Sequence, residues 1–102
     1  MESDYRLHFF VVNKMNENII RDTIIKLRQN NIDNNIDSNL RTIINDLNSI
    51  ILKLNETENI QQNLLQNLIN ILKDLVDAYK IMDIVYIADV LEYELLGILP
   101  IM

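Results

Sequence analysis

Residues 38–54 read SNLRTIINDLNSIILKL, and the spacing of their apolar positions decides the class of the fold. Leu40, Ile43, Ile44, Leu47, Ile50, Ile51 and Leu54 recur at steps of three and four, while Arg41, Thr42, Asn45, Asp46, Asn48 and Ser49 fill the other side. That period is the one that gathers side chains on one face of an α-helix, here of about five turns. Asp37 or Ser38 is the expected N-cap, since either side chain can accept a bond from a free first-turn N–H.

The same period continues beyond a break. Asn55-Glu56-Thr57-Glu58 interrupts the apolar pattern and puts carboxylates where the next helix has its positive dipole end. Residues 60–79, IQQNLLQNLINILKDLVDAY, then carry a second stripe through Ile60, Leu64, Leu65, Leu68, Ile71, Leu72, Leu75, Val76 and Tyr79. So short a link makes these two helices an expected antiparallel hairpin.

Two further helices flank the hairpin. A first is expected over about 5–29, with Phe9, Val12, Ile20, Ile24 and Leu27 along one face and with Asn13 and Asn16 intruding on it. The run Leu7 to Val12 is rich enough in bulky and β-branched residues for a strand, yet no second strand exists to satisfy its backbone. Asn30 to Ser38, dense in Asn and Asp, reads as a loop. A fourth helix is expected over 83–99, capped by Asp83 and ended by Gly97 and Pro100, the only glycine and proline of the chain. With the middle two placed at about 38–54 and 57–80, residues 1–102 form a single all-α domain. The expected architecture is an antiparallel four-helix bundle, up-down-up-down, although two long bent hairpins would give the same pattern.

Composition bounds the function. The 102 residues suffice for one core that buries roughly two-thirds of the unfolded surface. With no cysteine and only His8 as histidine, thiol chemistry and a His-based metal cluster cannot be built, and with His8 as the one possible histidine base no catalytic triad is expected. A single glycine excludes the Gly-rich phosphate loops. No catalytic residue and no cofactor is therefore expected. The abundant Asn and Ile, both encoded by AT-rich codons, reflect genome composition rather than a prion-like tract.

Charge is uneven. Residues 1–54 hold seven Lys/Arg and seven Asp/Glu, whereas residues 55–102 hold two and eight, so the net charge of −6 lies wholly in the second half. An acidic surface disfavours nucleic acid and anionic membranes, and neither is expected as a partner. Arg21, Lys26 and Arg28 sit where the dipole of the first helix favours cations. No apolar run approaches the roughly 18 residues of a membrane span. With an acidic N-terminus unlike a secretory signal, a cytoplasmic location is expected.

The fourth helix carries more apolar surface than one core contact requires. At about 100° per residue, Ile84, Ile87, Ala88, Leu91, Leu95, Ile98 and Leu99 gather on one side, and Tyr86, Val90, Tyr93 and Leu96 on the other, with Asp89 among them. Such a helix is either wrapped by its neighbours or docks against another molecule. Tyr86, Asp89, Val90, Tyr93 and Leu96 are thus the candidate partner-binding residues, for a protein partner or for a second copy in a homodimer. The expected role is a non-enzymatic interaction module: an adaptor, small chaperone or regulatory subunit. The alternative is a metal-binding or enzymatic bundle using the carboxylate pairs Asp74/Asp77, Asp89/Glu92 and Glu92/Glu94.

The segment DIVYIADVLEYEL, residues 83–95, resembles the closing helix of uncharacterised small helical-bundle proteins of low-GC Gram-positive bacteria. The resemblance implies a helical fold and a bacterial origin, and carries no activity. The order of helices is also similar to that of flagellar export chaperones, without any of their motifs.

Overall fold

The computed structural model of the protein describes residues 15–56 and 62–99. Among these residues there are four helices and no strand. Helix α1 spans Glu17–Arg28, α2 spans Asn34–Asn55 and α3 spans Gln62–Lys80. Helix α4 is continuous but changes pitch: it is α-helical over Ile84–Asp89, π-helical over Val90–Leu95 and α-helical again over Leu96–Ile98. Extensive contacts run α1–α2, α2–α3, α3–α4 and α4–α1, so the four helices close a ring around one core.

Most of that core is the set the periodicity selects. Ile20, Leu40, Leu47, Ile50, Leu68, Leu75, Ile87, Leu91 and Leu95 are fully shielded from solvent, each helix contributing at least one. Thr23 is the one polar side chain buried among the described residues, and its hydroxyl donates to the Ile19 carbonyl at 2.7 Å. Burial of a hydroxyl is tolerable only with such a partner.

The helix starts differ from expectation, because side chains read as loop or as face-breakers are caps. A helix continuous over 5–29 is not formed: residues 5–14 lie outside the described residues, and the backbone at Asn16 is extended. Asn16 accepts a bond from the Ile19 amide at 3.2 Å and starts α1 at Glu17. Helix α2 begins at Asn34, earlier than Asp37 or Ser38. Asp33 accepts from the Asn35 and Ile36 amides at 3.0 and 3.1 Å, which brings Ile36 into the core. Residues 57–61, where the third helix was expected to start, lie outside the described residues.

Asp83 caps α4 as its side chain allows, accepting from the Tyr86 amide at 3.1 Å. Gly97 sits within the last helical turn rather than ending it, and Pro100 lies outside the described residues.

Two helix ends share one geometry. After α1, Asn30 (φ 55°) donates to the Leu27 carbonyl and Asn31 to Lys26; after α3, Met82 (φ 52°) donates to Tyr79 and Asp83 to Ala78. Both are Schellman closures, which satisfy the last carbonyls by a residue in the left-handed region. Asn suits that region, whereas Met is strained in it.

Asp37, freed from capping, has another task. The Tyr79 hydroxyl of α3 donates to it, and the Arg41 guanidinium, one turn along α2, lies 3.0 Å from it and donates to the Tyr79 oxygen at 3.1 Å. The hydrogen bond that Arg41 donates to Tyr79, then the Asp37 charge, hold the Arg41 pKa above its ordinary value.

Candidate interaction surface

The π-helical segment decides which residues of α4 face outward. Its bonds run i→i+5, as from the Leu96 amide to the Leu91 carbonyl, so each turn holds about one more residue than an α-turn. Val90 and Leu95, five apart, consequently share the inner side with Leu91, and all three are fully buried. A uniform step of about 100° places Val90 on the outer face. The structure corrects this: Val90 is core, and of the candidate residues it is the one that leaves the surface.

The same change of pitch separates the two tyrosines. Tyr93 is 70% exposed and turns toward α1, where the Arg28 guanidinium lies 5.9 Å from its ring centre. Arg28 also reaches Asp89 at 2.9 Å and Glu92 at 3.8 Å. The bond to Asp89 is the largest cause raising the Arg28 pKa; the bond to Glu92 is the largest raising that of Tyr93. Leu96 is half-buried beside this cluster. With Glu92, Arg21, Ile24 and Ile25 it lines an open groove of about 280 Å³ between α1 and α4. The groove is shallower than the enclosed clefts that hold small ligands.

Tyr86, 42% exposed, turns the other way, toward α3. Its phenol is pushed above its ordinary pKa first by the Asp74 charge, then by partial burial and by Glu94 and Asp77. The Glu94 carboxyl is itself raised, by loss of water and by Asp74. None of Asp74, Asp77 and Glu94 has an ion-pair partner among the described residues. They do not converge either: among the described residues no three His, Cys, Asp or Glu groups are arranged to hold a metal ion.

Ile81 (74% exposed), Met82 (44%) and Val85 (63%), which precede Tyr86 at the α3–α4 turn and the start of α4, are exposed as well. Periodicity gives no warning of Ile81 and Met82, because a turn has no face. Ile25 and Arg28 were also missed, although an Ile24-Ile25 pair on a one-sided helix must expose one member. Among the described residues, no helix is long and apolar enough to cross a membrane.

No curated protein and no solved structure matches the chain. The family model described as Domain of unknown function (DUF8042) matches residues 11–100, nearly the whole of the helical domain with its candidate surface, and the chain belongs to that family.

Proposed function

We propose that the protein is a non-enzymatic interaction module, an adaptor, small chaperone or regulatory subunit, that uses the outer surface of α4 to hold a protein partner or a second copy. One observation carries the reading: after four helices have closed around the core, α4 still presents Tyr86 and Tyr93 to solvent. Tyrosine combines a large apolar area with a polar tip and is enriched where proteins meet.

The partner surface is read as the outer side of an up-down-up-down antiparallel bundle. Support comes from the ring of contacts and from two ties between opposite ends: Asp37 near the start of α2 with Tyr79 near the end of α3, and Arg28 at the end of α1 with Asp89 in the first half of α4. The low-GC bacterial origin and cytoplasmic setting belong to the same reading.

The test is the double variant Tyr86→Glu with Tyr93→Glu. Circular dichroism should show unchanged helix content, and light scattering or affinity capture from the native cell should show loss of association. Loss of helix content instead would make these residues part of the core and end the reading.

A further inference from the structure

We infer that the corner between α3 and α4 is a docking site for a basic amphipathic helix of a protein partner. The inference rests on the reading of α4 as the contact helix and names which side of it is used and by what chemistry.

The apolar part is one short stretch of the chain. Ile81 and Met82 form the turn, and Val85 and Tyr86 occupy the first turn of α4, three and four residues after Met82. Tyr86 reaches back toward Asp74 and Asp77 of α3, so the patch bridges both helices. Three aliphatic side chains more than two-fifths exposed in one short segment differ from the scattered single exposures normal on a soluble surface.

Met82 adds an independent observation. It occupies the left-handed position of a closure that is built identically after α1, where Asn30 fills it without strain. The Met82 side chain is 44% exposed and so is not held there by the core. Retained backbone strain with an outward-facing apolar side chain points to use outside the fold.

Charge selects the occupant. Arg28 takes up Asp89 and Glu92 on the other side of α4, while Asp74, Asp77 and Glu94 around Tyr86 have no ion-pair partner among the described residues. From residue 73 to residue 99 the sequence has only Lys73 and Lys80 against six carboxylates. A second copy brought face to face about a two-fold axis would set these carboxylates against their own counterparts, which is unfavourable. A helix with Leu-type residues on one stripe and Lys or Arg beside it satisfies both halves of the surface.

The probe is a labelled synthetic helix with Leu at i, i+3, i+4 and i+7 and Lys elsewhere, beside a scrambled peptide of the same composition, followed by fluorescence anisotropy at low salt. The amphipathic peptide should bind at least tenfold more tightly than the scrambled one. Ile81→Ser with Val85→Ser should weaken it at least tenfold. Asp74→Asn with Asp77→Asn should weaken it and flatten its salt dependence, and Tyr93→Glu should leave it unchanged. Equal binding of both peptides, or indifference to Ile81→Ser with Val85→Ser, overturns the inference. So does sedimentation showing that these apolar substitutions abolish self-association, which would make the occupant a second copy. If the Tyr86→Glu, Tyr93→Glu variant loses association but the corner variants do not, the general reading stands and this one falls.

Discussion

Arg28, the last residue of α1, donates to the Asp89 carboxylate of α4 across 2.9 Å, joining positions 61 residues apart in the chain. Both side chains are a third or more exposed, so the pair is screened by water and acts more as a register mark than as a source of stability. Arg28→Ala and Asp89→Asn should each lower the melting temperature slightly and by less than additive amounts together. The coupling should fade as salt rises toward roughly 1 M, where screening is nearly complete. Strict additivity at low salt would show that the two do not interact in solution.

Val90→Ala should destabilise the fold by about 2 kcal/mol, and Leu91→Ala by about 2–5 kcal/mol, the ordinary range for emptying part of a core. Tyr93→Ala, seven-tenths exposed, should change little. Urea unfolding of the three variants compares them directly. A neutral Val90→Ala would mean that the π-helical segment does not persist in solution.

Tyr79→Phe removes the hydroxyl that donates to Asp37 and receives Arg41, and should cost about 1 kcal/mol, the usual net value of one such bond. Chemical denaturation reads it. A stabilised variant would be incompatible with the clamp between α2 and α3.

Met82→Gly should stabilise the protein by about 1 kcal/mol, because glycine adopts the left-handed region that Met82 enters at φ 52°. The same substitution removes an apolar side chain from the proposed docking corner, so stability should rise while binding of the basic helical peptide falls. A rise in both would separate the strain from the surface.

Tyr86 should ionise above the ordinary value of 10.0, chiefly because of the neighbouring Asp74 charge, and Asp74→Asn should bring it down. With the folded-state pKa raised, the stability linked to this proton is complete below the ordinary tyrosine pKa. It is lost as pH rises through the folded value. Difference absorbance titration against Tyr86→Phe isolates this phenol, and a titration unaffected by Asp74→Asn would place the two groups apart.

Much of the helical framework was legible because burial on one side of a helix writes itself into the sequence every three or four residues. Leu40, Ile43, Leu47, Ile50, Ile51 and Leu54 were readable in this way, as were Leu65, Leu68, Ile71 and Leu75, all buried. Helix starts were less legible. Asn16 and Asp33 can equally be loop residues or caps, and only the direction of a backbone N–H distinguishes the two. Of the candidate surface, Tyr86, Asp89, Tyr93 and Leu96 were readable as residues of one helix, but their grouping into a single face was not. Asp89 and Tyr93 meet Arg28, Leu96 lines the neighbouring groove, and Tyr86 meets Asp74.

By itself, then, the sequence determined an all-helical domain of four segments and an acidic second half. It also marked a last helix with apolar surface to spare, since composition and period are properties of the chain alone. Only the tertiary structure decided where that surplus goes. Packing four helices around one core is accompanied by a change of pitch at Val90–Leu95, and a change of pitch rotates every later side chain. Tyr93 is thereby turned to α1, Leu95 joins Val90 and Leu91 inside, and Tyr86, ahead of the change, is left with Ile81, Met82 and Val85 at the exposed corner.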